Sequence, residues 1–208
     1  MPLVEGDSLP LLDLGIAQRA KTGETVSGDM HLVQSFPEGT LVAVVDGLGH
    51  GEEAAVAARA AVTALAARPG RSPHVLFKSC HEALKFTRGA ALTLASFNHL
   101  DGTLTWLGVG NVEAVLLRAD PSVATAREYV LQHGGVVGLQ MPPLRAFSVP
   151  YEPGDTLVLA TDGIREGFAE GLPLEESPQD LADRILDRDR KGHDDALVLV
   201  ARVRGGST

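Results

Sequence analysis

The sequence has a single cysteine, Cys80, in 208 residues. No internal disulfide can form, and the fold must hold without covalent staples. In its helical-looking surroundings Cys80 reads as a small buried hydrophobe. Aromatic residues are scarce too, at 4% against 44% hydrophobic overall, so Val, Leu and Ala must fill the core. Positive charge is short: 18 Lys and Arg face 27 Asp and Glu, a formal charge of −9. That argues against nucleic acid or an anionic membrane as partner, because both need a basic face. The start Met1-Pro2-Leu3-Val4-Glu5-Gly6-Asp7 lacks the charged and apolar regions of a signal peptide, and no apolar run reaches transmembrane length. The expected location is the cytoplasm. There is no repeat, low-complexity stretch or linker, and 208 residues fit one domain, 1–208.

What is present alternates between strand and helix signals. Leu11 to Arg19, Met30 to Phe36 and Leu41 to Val45 read as strands. Glu52 to Ala67 is alanine-rich with acidic residues in its first turn, which predicts a helix. Val56, Ala60, Thr63 and Ala67 fall at helical spacing and would let it pack closely on a sheet. Ser72-Pro73 opens a second helix to about Thr87, with Ser72 as its cap. Ala91–Phe97 and Thr103–Val109 flank an Asp-Gly turn and form a hairpin. Short strands follow at 112–118, 128–132, 145–150 and 155–160. A helix begins at Ser177-Pro178 and runs to about Arg188, before a closing strand at 196–203; Gly205–Thr208 is expected to fray. Hairpins with segregated helices indicate an α+β fold, and this many strands indicate two packed sheets.

Four motifs place aspartate beside glycine or a second aspartate at the end of an apolar run. They are Ser27-Gly28-Asp29, Val44-Val45-Asp46-Gly47-Leu48-Gly49-His50-Gly51, Thr161-Asp162-Gly163 and His193-Asp194-Asp195. The glycines at 47, 49 and 51 fit neither the Walker pattern nor GxGxxG, and Glu52 and Glu53 occupy the helix start where a phosphate would bind. Each motif alone reads equally well as a turn or an acidic cap. Together they bring carboxylates to strand ends, where a divalent cation would give them a reason to converge. Oxygen-only ligands, with no His or Cys at zinc spacing, favour Mg²⁺ or Mn²⁺. Two such ions polarise a phosphoryl group and activate a water, so metal-assisted hydrolysis of a phosphoester is the chemistry expected. Side chains alternate across a strand, so only one of Asp194 and Asp195 is expected to face the cluster.

The ordered set, with Arg88-Gly89-Ala90-Ala91, Gly110-Asn111-Val112 and Lys191-Gly192-His193-Asp194-Asp195, resembles the PP2C-like (PPM) serine/threonine phosphatases. Within them it is most similar to the bacterial SpoIIE branch and its short stand-alone stressosome phosphatases. The resemblance covers nearly the whole chain. It implies an αββα β-sandwich of two antiparallel sheets flanked by helix pairs, with two Mn²⁺ or Mg²⁺ ions at one end. Asp46 would bridge both ions and the Gly47 carbonyl would bind one. Asp162 and Asp194 would complete one shell, and Asp29 would serve the second ion. A water activated between them would attack phosphorus in line, without a phospho-enzyme. The implied substrates are phosphorylated STAS-domain proteins (RsbS/RsbR-like) of a stressosome or partner-switching module.

The chain also departs from the wider family. Leu48 stands where eukaryotic-type enzymes place a general-acid histidine. His50, close by, is the candidate to protonate the leaving serine oxygen, or else a loop residue shaping the turn. No arginine shortly precedes Asp29 to clamp phosphate. Gly110-Asn111 replaces the aspartate that many relatives offer a third metal, and Leu197 replaces a common threonine. The remaining histidines share no ligand spacing, and Trp106 is expected in the core. Gly134–Gly138 reads as a turn, or as a flexible loop near the site. A binding module without catalysis, or a hydrolase of small phosphoesters, are the other functions that the residues admit. Monomer is the expected state, because no exposed apolar helix face stands out.

Overall fold

The computed structural model describes residues 11–120, 122–123 and 125–205. The frayed tail expected over Gly205–Thr208 lies, but for Gly205, outside them. Two sheets stack face to face. One is built from β1 (Leu12–Arg19), β6 (Glu113–Leu117), β7 (Arg127–Tyr129), β10 (Thr156–Ala160) and β11 (Ala196–Val203), in the order β1-β11-β10-β6-β7. The other is built from β2 (Asp29–Phe36), β3 (Gly39–Gly47), β4 (Ala90–Asn98), β5 (Thr103–Val109) and β8 (Gln132–His133), in that order. β9 (Phe147–Pro150) also pairs with β5, antiparallel along its first half. β8 pairs with the last two residues of β5 in parallel, so this second sheet is mixed where a purely antiparallel one is expected.

The helices α1 (Gly51–Ala66) and α2 (Pro73–Leu84) cover the second sheet, and α3 (Pro178–Asp189) covers the first. The family resemblance predicts helix pairs on both sides; α3 stands as a single helix, with Ile164, Phe168 and Ala169 of the preceding segment packed beside it. Apolar alternation drives the layering. Val42 and Val44 of β3 meet Leu157, Leu159, Leu197 and Leu199 between the sheets, while Leu41, Ala43 and Val45 face α1 and α2. Each fully buried Val or Leu contributes roughly 1.5–3 kcal/mol. Trp106 is in the inter-sheet core as expected. Cys80 is fully buried, and burial pushes its thiol up to about 12.

Two local expectations fail. Ser72 precedes α2, but its side chain makes no capping bond, and the helix ends at Leu84 instead of near Thr87. Ser177 does cap α3: its hydroxyl accepts from the Asp180 N–H at 3.2 Å. The larger miss is α1, whose buried stripe is Ala54, Ala57, Ala58, Ala61 and Leu65. Val56, Ala60, Thr63 and Ala67 instead line a shallow outward groove with Ala83 of α2, and Val56 is half exposed. An exposed apolar helix face therefore exists after all. Among the described residues no helix is long and apolar enough to cross a membrane.

Candidate functional site

The acidic residues meet at one mouth of the sandwich. On β3 the alternation that turns Val42 and Val44 inward also turns Asp46 inward, at the strand's end. Asp29 opens β2 and lies directly opposite Asp46 in the antiparallel ladder. Its side chain is on the same face, since Val33, four residues along β2, packs into the inter-sheet core. From the facing sheet, Thr161 and Asp162 follow β10, while Asp194 and Asp195 precede β11. Thr161 spans the gap: its hydroxyl donates to Asp29 Oδ2 at 2.7 Å and accepts from the Leu197 N–H at 2.9 Å.

Burial and mutual repulsion dominate the electrostatics. Asp29 is 2% exposed. Burial pushes its carboxyl up to about 8, opposed by the Thr161 hydrogen bond and reinforced by Asp195, Asp162 and Asp194. Asp46 is pushed up to about 9 by burial first and then by the charges of Asp29, Asp162, Asp194 and Asp195. Asp162 is raised by burial and by Asp194, against relief from Lys191, Asn111 and His193. Five carboxylates thus share one field. Asp29, Asp46 and Asp162 are costly to ionise here, because like charges sit together in partly desolvated surroundings.

The Asp-Asp pair divides its work. Asp195 is buried and its two oxygens accept backbone N–H bonds from Lys21 and Gly28, each at 2.8 Å. It ties the β1–β2 connection to the start of β11. Asp194 is half-buried, with Oδ1 accepting from the Asp195 N–H. Both charges act on Asp29 and Asp46, while the two Asp195 oxygens are taken up by the Lys21 and Gly28 N–H groups.

Several residues outside the expected ligand set organise the mouth. Asn111 Nδ2 donates to Asp162 Oδ2 at 2.7 Å, and Lys191 Nζ donates to the Asp162 carbonyl at 2.6 Å. Gln18 Nε2 holds the Asp29 carbonyl at 2.8 Å. Asn111 is therefore a brace for Asp162 in this chain. The glycines serve close packing: a β-carbon on Gly47 would overlap the Ala54 carbonyl of α1, and one on Gly163 the Asp195 carbonyl. His50 is the N-cap residue of α1 without a capping bond, and its Nδ1 lies 2.7 Å from Glu24 Oε1. The segment 134–138 is a braced turn, with Val137 bridged to Ala90 and Val136 to Gln140.

Among the described residues no three acidic, histidine or cysteine side chains meet at the distances of a closed metal shell. The donor chemistry nevertheless fits a hard divalent cation, being all oxygen. Burial and four neighbouring acids raise Asp46 with no hydrogen bond among the causes to offset them, and a bound cation would supply that offset.

A model of the family described as Stage II sporulation protein E (SpoIIE) matches residues 37–204. The chain is similar to phosphoserine phosphatase RsbX of Bacillus subtilis (strain 168), 25% identical over 166 residues, 77% of this chain and 81% of that protein. In three dimensions it resembles a chain solved for "The bacterial stressosome: a modular system that has been adapted to control secondary messenger signaling". That match has a TM-score of 0.83 and 31% identity, and covers 92% of this chain and 99% of that one. A structure of RsbX in complex with magnesium matches at TM-score 0.80 and 21% identity, over 92% and 95% of the two chains. With the sandwich and its acidic mouth in place, these likenesses fix the family: the chain belongs to the SpoIIE family of PP2C-type phosphatases.

Proposed function

We propose that this chain hydrolyses phosphoserine or phosphothreonine on STAS-domain proteins of a stressosome or partner-switching module, using two Mn²⁺ or Mg²⁺ ions. The observation that carries the mechanism is the facing pair Asp29 and Asp46, raised together by burial and by the neighbouring acids. The substrate class is supported by likeness to RsbX and to the stressosome chain.

In this reading Asp46 would hold both ions and the Gly47 carbonyl one of them, Asp162 and Asp194 would complete one set, and Asp29 would serve the other. Bound there, the ions supply Lewis-acid polarisation of the phosphoryl group and an activated water. The chain's own residues keep the donors in place. Thr161 fixes one Asp29 oxygen, Asn111 fixes one Asp162 oxygen, and Asp195 anchors the loops that carry Gly28 and Lys21. His50, whose Nδ1 lies 2.7 Å from Glu24 Oε1, is in this reading the candidate to give a proton to the leaving serine oxygen.

Phosphate release from a phosphorylated STAS protein with Mn²⁺, for wild type and Asp46→Ala, tests this. Loss of turnover in the variant alone is expected. Equal release from both would overturn the two-metal reading, and turnover of p-nitrophenyl phosphate but of no phosphoprotein would move the substrate to small phosphoesters.

A further inference from the structure

The mouth described above is anionic, and its substrate is anionic too. Two divalent ions would still leave five carboxylates and a phosphate dianion with a net negative charge, which a cation from the chain facing the phosphate would offset. Most basic groups at this mouth are already engaged. Lys191 Nζ holds the Asp162 carbonyl, His50 is paired with Glu24, and Arg190 holds the Ala20 carbonyl.

Arg88 is different. It precedes Gly89, which turns the chain with φ +80 into β4, and the Gly89 carbonyl accepts from the Leu48 N–H at 3.0 Å. The ladder places Ala90 opposite Gly47 and Ala91 opposite Asp46. Arg88 is therefore stitched to the loop that carries the central aspartate. Its guanidinium lies over Gly49: a β-carbon there would sit 2.8 Å from Nη1. Gly49, at φ +94, accordingly gives both the backbone turn and the space for the arginine. The one ion-pair partner of Arg88 among the described residues is Glu53 in the first turn of α1, and the side chains are 54% and 68% exposed. An exposed pair of this kind is weak. A phosphate dianion, which guanidinium binds through two parallel hydrogen bonds, displaces a single carboxylate readily.

We propose that Arg88 is the phosphate-binding residue of this site, held in reserve by Glu53 and transferred to the substrate phosphate on binding. This rests on the phosphatase reading above. It supplies from the start of β4 the arginine that is missing before Asp29.

Calorimetric titration of inorganic phosphate into the Mg²⁺-loaded protein tests it without turnover. Arg88→Ala should weaken phosphate binding about 10- to 100-fold, and Arg88→Lys should restore only part, since lysine lacks the paired donors. Glu53→Gln removes the competitor and should tighten binding several-fold. A mere strut between α1 and β4 predicts that Arg88→Ala and Glu53→Gln behave alike, because both break the same pair. Equal affinity in wild type and Arg88→Ala, weakening by both variants, or no phosphate binding by wild type would each overturn the proposal. If Arg88→Ala does not fold, the opposed responses of Arg88→Lys and Glu53→Gln decide it. Turnover of a phosphoserine protein, measured beside these titrations, separates the two ideas. Absent turnover with Arg88-dependent phosphate binding sinks the phosphatase reading alone, and turnover with Arg88-independent binding sinks this one alone.

Discussion

Asp29 and Asp46 stand directly across from each other on β2 and β3, two acids buried at one mouth of the sandwich, with Thr161 from the facing sheet donating to the first at 2.7 Å. Like charges at opposed strand positions destabilise a ladder. The fold accepts that cost where three further carboxylates already crowd the pair.

The cost has a sign that pH reveals. Both carboxyls rise from an ordinary value of 3.8, to about 8 for Asp29 and about 9 for Asp46. A raised acid binds its proton more tightly folded than unfolded. The contribution of these two groups to the stability of the metal-free protein is therefore fully present below about pH 4 and is lost progressively as pH rises toward 8–9. Asp46→Asn removes one such group. In metal-free buffer its melting temperature should match wild type near pH 4 and exceed it by several degrees at pH 8, at roughly 2–4 °C per kcal/mol. A constant offset across that range would refute the assignment. Mg²⁺ should reverse the wild-type trend, because cation binding favours the ionised carboxylates and so strengthens with pH.

The adjacent acids Asp194 and Asp195 should respond in opposite ways. Asp195→Ala strands the N–H groups of Lys21 and Gly28, and should cost about 2–4 kcal/mol in urea unfolding. Asp194→Ala loses only the local bond to the Asp195 N–H. It should unfold within about 1 kcal/mol of wild type while metal-dependent turnover is lost. Similar stability losses in both would contradict this division.

Thr161 gives a narrower probe. Thr161→Val keeps the shape but leaves Asp29 Oδ2 and the Leu197 N–H without their partner in a buried place, at about 1–3 kcal/mol. Thr161→Ser should restore most of it. Because the lost bond holds the Asp29 carboxyl down, the variant should also shift the metal-free stability loss to a wider pH range. Unfolding curves at pH 5 and pH 8 check both effects.

Much of the architecture is legible in the residues because strand alternation and turn chemistry are local. β5 (Thr103–Val109) and β11 (Ala196–Val203) fall where apolar runs and the Asp-Gly turn put them. The α1 face is not legible. In an alanine-rich helix the stripe through Ala54, Ala58, Ala61 and Leu65 and the stripe through Val56, Ala60, Thr63 and Ala67 are both dominated by small residues, and the packing of Ala54 on Gly28 and Gly47 that marks the buried one is a contact distant in sequence. The mouth shows the same split. The Asp-Gly motifs mark strand ends, but the braces Thr161, Asn111 and Lys191 and the Arg88–Glu53 pair depend on contacts distant in sequence, which no spacing encodes.

Those glycines make the last prediction. Gly47 does not need a left-handed backbone; it needs the space, because a β-carbon would enter the Ala54 carbonyl where α1 crosses the end of β3. Gly47→Ala must push α1 away from Asp46, at about 3 kcal/mol or more, since backbone against backbone cannot give as a side chain can. Gly102→Ala is the control: nothing lies within 4 Å, and only its φ of +66 opposes the methyl group, at about 1 kcal/mol. Chemical denaturation of the two variants compares steric with conformational cost directly. A Gly47→Ala protein as stable as Gly102→Ala would mean that α1 yields, and that the geometry around Asp46 is softer than this packing requires.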